Sequence, residues 1–117
     1  MNQHEEREQI ALMQWAAYQE SVYPELHWLH HIPNGGMRSK ATAGKLKAAG
    51  VKAGVPDLCL PVPRGGYAGL YIELKYGKNK PSEHQLEWLE YLSGAGYKTA
   101  VCYGFEEARN VILEYLA

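Results

Sequence analysis

The chain has 117 residues, 46% of them hydrophobic and 21% charged, which is the composition of an ordinary soluble globular protein; residues 1–117 are expected to form one domain, with no room for two. Its two cysteines, Cys59 and Cys102, lie inside apolar runs and read as buried thiols rather than a disulfide framework; no apolar stretch nears the roughly 20 residues of a membrane span, and with no basic, apolar-cored leader the expected location is cytoplasmic. The net charge of −1 hides a division, because from Arg38 to Lys80 nine basic residues stand against Asp57 and Glu73, whereas the remainder carries three basic and eleven acidic residues.

Ile10, Met13 and Ala17, with Leu12, Trp15 and Ala16, recur at helical spacing and predict a helix from Gln3 to about Ser21, with Pro24 beyond its end. Leu26–Ile32 is short, aromatic and apolar with interspersed histidines, which suits a strand, and Pro33-Asn34-Gly35-Gly36 is turn chemistry that stops it. Ser39 can cap a second helix running to Ala49, although Gly44 within it costs about 1 kcal/mol, and Gly50 terminates it. Asp57–Val62 and Gly69–Lys75 read as strands joined by the turn Pro63-Arg64-Gly65-Gly66, with Pro61 arguing against even pairing on both edges of the first. Ser82 and Gln85 make a capping box for a third helix, whose apolar positions Leu86, Leu89 and Leu92 end before Gly94 and Gly96. Lys98–Tyr103 is a strand, and Phe105–Leu116 is a last helix with Ala108, Val111, Ile112 and Tyr115 on one side. The order α-β-α-β-β-α-β-α describes a mixed α/β domain built on one central sheet.

Asp57 is the chain's one aspartate, and Glu73 is the other acid of the basic segment. In a hairpin, Gly65 lies midway between them, so they stand opposite each other with Cβ atoms roughly 4.5–5.5 Å apart. Strand alternation sets Lys75 on the same face as Glu73 and turns Leu74 into the core. Two carboxylates and a lysine at one place can hold a hard divalent cation against a substrate phosphate while the lysine orients or activates water, which is the equipment of phosphodiester hydrolysis. The same trio could equally be an exposed salt bridge worth at most about 1 kcal/mol.

The basic segment suits phosphate contacts, although a solvated loop region would look alike. Lys45, Lys47, Lys52, Lys78 and Lys80 are point charges on flexible stems, which fit contacts to a phosphate backbone better than the reading of bases. Asn34, Gly35 and Arg38 belong to a loop that can approach a phosphate closely, with an ordinary turn as the alternative. His27, His30 and His31 have no neighbouring cysteine to complete a familiar zinc site, but His31 precedes that loop and can contact substrate. Trp15, Trp28 and Trp88 are expected as core or interface anchors rather than stacking platforms.

Gly54-Val55-Pro56-Asp57, followed after one hairpin by Ile72-Glu73-Leu74-Lys75, resembles the PD-(D/E)XK nuclease signature, and its wording is similar to the VRR-NUC branch. His31-Ile32-Pro33-Asn34-Gly35-Gly36, the stretch Leu46–Gly54, and Ser82-Glu83-His84-Gln85 with Trp88-Leu89 resemble further blocks of that branch in the same order, so the resemblance covers nearly the whole chain. It implies a restriction-endonuclease-like core with a central mixed four-stranded sheet flanked by helices. It also implies a Mg²⁺- or Mn²⁺-dependent endonuclease that cleaves DNA, with no organic cofactor and no membrane. Carried over residue by residue, it makes Asp57 and Glu73 metal ligands, the Leu74 carbonyl a backbone ligand, Lys75 the group acting on the attacking water, and Gln85 a positioner of water or the metal shell.

The family also places a glutamate on its first helix, where Glu5, Glu6 and Glu8 all qualify. Glu5 is preferred because it stands four residues before Gln9, as the family's glutamate and glutamine do. An acidic helix start also interacts favourably with the helix dipole, which needs no catalysis. Minimal members of the branch resemble phage-type enzymes acting as homodimers on branched DNA such as Holliday junctions, and the first and last helices, with Trp15 and Tyr115, are the expected interface material. The rival expectations are a nuclease of ordinary duplex DNA and a non-catalytic module binding branched DNA; intact Asp57, Glu73 and Lys75 weigh against the second.

Overall fold

In a computed structural model, which describes residues 1–34 and 39–117, two glycines govern the central hairpin. Gly65 and Gly66 have φ of 57° and 86°, the positive pair that a two-residue reversal demands, and on either side Arg64 and Tyr67 bond each other in both directions. The hairpin strands are β2 (Leu58–Leu60) and β3 (Leu70–Lys75), paired Leu58 with Ile72, Cys59 with Tyr71 and Leu60 with Leu70. This is the register expected from Gly65 as midpoint, and one step further it sets Asp57 opposite Glu73. The first strand is shorter than expected, because Pro61 offers no N–H and the Val62 N–H turns back to the Leu60 carbonyl.

A short strand, β1 (His30–His31), pairs antiparallel with β2, and β4 (Lys98–Tyr103) pairs parallel with β3, completing a mixed four-stranded sheet in the order β1-β2-β3-β4. The parallel pair needs a crossover, which α3 (Glu83–Gly94) supplies. Leu58, Leu60, Leu70, Ile72, Leu74 and Cys102 form a core with Leu12 and Ala16 of α1 (Gln3–Gln19) and with Ala108, Ile112 and Leu116 of α4 (Phe105–Leu116). Cys59 and Cys102 are buried and free. Among the described residues no helix is long and apolar enough to cross a membrane.

Two expectations are corrected. Leu26–Ile32 is not one strand: Pro24–Trp28 forms a 3₁₀ helix, started by a proline whose φ suits a helical turn, and only His30 and His31 pair with the sheet. Leu26 and Leu29 are buried together at the three-residue spacing of that helix, which an apolar run also shows when it is a strand. Trp28 is 60% exposed, so of the core and interface roles expected for it the core one is excluded. Ile10 and Leu86 face solvent, so the buried face of α1 is Glu5, Gln9, Leu12 and Ala16, half of it polar. Trp15 packs edge-on against Phe105, and the Tyr115 hydroxyl donates to the Val62 carbonyl at 2.6 Å; both side chains are half-buried.

The second helix, α2 (Lys40–Ala48), is capped by Ser39, whose hydroxyl accepts from the Thr42 N–H. It buries no residue.

Candidate active site

The segment before Asp57 lies against the first turn of α3 so closely that only glycine fits at position 54. Gly54 has φ +88°, and a Cβ there would stand 2.6 Å from the His84 carbonyl carbon and 2.7 Å from its Cβ and oxygen. This contact brings the start of α3 to the end of the hairpin, where Asp57, Glu73 and Lys75 are all buried.

Asp57 is held at both ends. Its Oδ2 accepts from the Leu74 N–H at 2.7 Å, and its carbonyl oxygen accepts from the Ile32 N–H and from His31 Nδ1, each at 2.8 Å. Because a carbonyl only accepts, the His31 hydrogen sits on Nδ1. Glu73 is 1% exposed; its Oε2 accepts from Gln85 Nε2 at 2.9 Å and lies 3.7 Å from Lys75 Nζ. Its Oε1 is buried with no donor in reach, and it bonds the neighbouring Asp57 carboxyl only when one of the two carries a proton. Gln85 does two jobs with one amide, since its Oε1 accepts from the Ser82 N–H at 2.8 Å in the capping box of α3 while its nitrogen holds Glu73.

The three glutamates of α1 separate by destination. Glu5 is buried, and its Oε2 accepts from Asn2 Nδ2 at 3.0 Å and from Asn79 Nδ2 at 3.1 Å; its charge acts on both Asp57 and Glu73. Glu6 is exposed. Glu8 serves another helix: its Oε1 accepts from the Phe105 N–H at 3.0 Å and caps α4, whose own N-cap, Gly104, has no side chain to do so. Gln9, four residues after Glu5, is buried with its Oε1 unpartnered.

Burial, then the charge of Asp57, pushes the Glu73 carboxyl up to about 8, with Lys75 opposing. Burial also raises Asp57, against the Leu74 N–H, the Glu73 side chain and His31. Two adjacent buried carboxylates therefore share a proton or require a cation. Among the described residues no three His, Cys, Asp or Glu side chains close a cage on their own. Mg²⁺ keeps several waters and takes only one or two carboxylates, so Asp57 and the unpartnered Glu73 oxygen fit a hard divalent cation.

Lys45, Lys47, Lys52, Lys78 and Lys80 are all exposed, the first two on α2 and the last two between β3 and α3. Asn34 is tied down rather than free, its Nδ2 donating to the Val55 carbonyl at 2.6 Å. Gly35 and Arg38 lie outside the described residues. Of the two residues that hold Glu5, Asn79 carries no signal in the sequence beyond polarity, whereas Asn2 stands three residues before Glu5 at the spacing of a capping box, a signal the sequence does carry. Trp88 is half-buried and lines an open groove, so of the core and interface roles expected for it the core one does not apply.

Residues 3–106 match the VRR-NUC domain. A solved structure described as a VRR_NUC domain protein is similar over 99% of this chain and 90% of its own, with 34% identity and a TM-score of 0.82. No curated protein matches. With its mixed sheet, flanking helices and buried Asp57-Glu73-Lys75 end, the chain belongs to the VRR-NUC family of nuclease-type, DNA-processing domains.

Proposed function

We propose that the chain is a divalent-metal-dependent endonuclease that hydrolyses DNA phosphodiesters and selects branched DNA such as four-way junctions. The observation that carries the chemistry is Glu73 Oε1, a carboxylate oxygen buried without a partner beside a second buried carboxylate. Folding leaves such an atom only at a cost of several kcal/mol unless a proton shared with Asp57 or a cation is held there. Asp57, Glu73 and the Leu74 carbonyl would hold Mg²⁺ or Mn²⁺, with Glu5 at its outer side. When bound, the cation supplies Lewis-acid stabilisation of charge on the phosphate and a lowered water pKa.

The chain's own groups do the rest. Lys75, 3.7 Å from Glu73 Oε2, carries a cation at the place where water must be oriented for attack. Gln85 fixes Glu73 through one oxygen and so leaves the other for the metal. The Leu74 N–H does the same for Asp57. Lys45, Lys47, Lys52, Lys78 and Lys80 contact backbone phosphates, which position DNA by shape without reading bases. A homodimer supplies two sites at a fixed separation, as two symmetric cuts in a junction require.

The test is cleavage of a labelled four-way junction and a matched linear duplex, each with Mg²⁺ or Mn²⁺, beside Asp57→Ala. Cutting of the junction alone, lost in the variant, is the expected result. Equal cutting of both DNAs removes the branch preference, and tight binding without cutting by the intact protein turns the reading to a binding module.

A further inference from the structure

Between them, α2 and α3 border an open groove of about 680 Å³, lined among the described residues by Leu46, Lys47, Val51, Lys52, His84 and Trp88. Leu46, Val51 and Trp88 are half-buried, and Lys47 and Lys52 are exposed. Glu87 is the one acid on its wall. The groove is joined to the site by a single residue step: His84, which lines it, is in contact with Gly54 and precedes Gln85, whose amide holds Glu73. The first turn of α3 therefore serves both the groove, through His84, and the carboxylate end, through Gln85.

A cavity of this size takes a small molecule or one nucleotide, and it does not admit a duplex. An indole beside two ammonium groups is the pairing that single-stranded nucleic acid uses, with the base on an aromatic face and the phosphate on a cation. A base inside a duplex has both faces covered by its neighbours, so paired DNA reaches the lysines and not the indole. The geometry points to the groove as a subsite for one unpaired nucleotide of the DNA substrate, its base stacked on Trp88 and its phosphate held by Lys47 and Lys52. The inference rests on the nuclease reading and sharpens it: a nuclease that captures an unstacked nucleotide against α3 prefers DNA whose bases open at a branch point, with no base-specific contact.

The test is binding in EDTA, where cleavage is off, of a duplex carrying one unpaired 2-aminopurine and of its fully paired counterpart. The intact protein should quench the 2-aminopurine. Trp88→Ala should abolish the quenching and weaken binding of the unpaired substrate roughly five- to one-hundred-fold, while the paired duplex is held as before. Trp88→Phe should keep most of both signals. Ala43→Trp fills the groove from α2, a helix that buries nothing, and should reproduce the loss with Trp88 in place, which decides the matter even if Trp88→Ala misfolds.

Equal weakening on the two DNAs, or unchanged binding by Ala43→Trp, overturns the subsite. A fall in sedimenting mass on Trp88→Ala also overturns it, because a second copy would then be the occupant. Failure of the nuclease reading looks different: the intact protein would discriminate the two DNAs in EDTA and cut neither with Mg²⁺ or Mn²⁺.

Discussion

Replacing Glu73 by glutamine should make the metal-free protein more stable and make it blind to divalent cations. Glu73 is 1% exposed, one of its oxygens has no partner, and burial with the Asp57 charge raises its pKa from 4.5 to about 8. Between these values the folded chain holds a proton that the unfolded chain has released, so stability falls as pH rises from about 4.5 to about 8 and is flat beyond. At 1.36 kcal/mol per pH unit the ceiling is roughly 5 kcal/mol, and relaxation around a buried carboxylate brings the expected loss to about 2–3 kcal/mol. Urea denaturation in EDTA should therefore give Glu73→Gln a higher midpoint than the wild type at pH 8.5, with the difference closing toward pH 5. Added Mn²⁺ should raise the wild-type midpoint, by about 2.7 kcal/mol at a hundred times its Kd, and leave the variant unmoved. A variant less stable than the wild type in EDTA at pH 8.5, or one stabilised equally by Mn²⁺, would refute the account of Glu73 as an unpaired carboxylate awaiting a cation.

Gly54→Ala combines a non-glycine residue at φ +88° with a Cβ 2.6 Å from the α3 backbone, and should cost about 2–5 kcal/mol in denaturation and displace Gln85; a loss under about 1 kcal/mol would show that α3 yields freely. Glu8→Ala removes the cap of α4 and should cost about 1 kcal/mol, leaving Mn²⁺ affinity by calorimetry at the wild-type value, whereas Glu5→Ala should weaken it. Lys75→Met should lower the cleavage rate by about 10²–10⁴-fold. It also removes the cation that opposes the rise of Glu73, so the Glu73 pKa climbs further and Mn²⁺ binding, followed by calorimetry against pH, should shift to higher pH. An unshifted profile would place Lys75 outside the carboxylate site.

The carboxylate pair was legible because turn chemistry and strand alternation are local rules: two glycines at the reversal fix the pairing, and the pairing fixes which side chains meet. Ser82 and Gln85 were legible for the same reason, as a cap is decided within four residues. What was hidden depends on distant packing. Glu5 and Glu8 look alike in an acidic run, and only the approach of α4 shows that Glu8 belongs to Phe105. Leu26 and Leu29 satisfy a strand and a 3₁₀ turn equally well. Asn79 reaches Glu5 from 74 residues away, and the openness beside Trp88 depends on where α2 stands, which no spacing encodes.

That α2 buries no side chain while β3 is buried almost throughout divides the molecule by tolerance to change. Substitutions on the solvent side of a helix without buried residues usually fall within about 0.5 kcal/mol, whereas those along β3 draw on the core and on Glu73 and Lys75 together. Drift in the lysines and small residues of α2 can therefore change the charge of that surface, over many steps, without passing through an unfolded intermediate. The carboxylate end has no such freedom, and relatives should diverge in preference long before they diverge in chemistry.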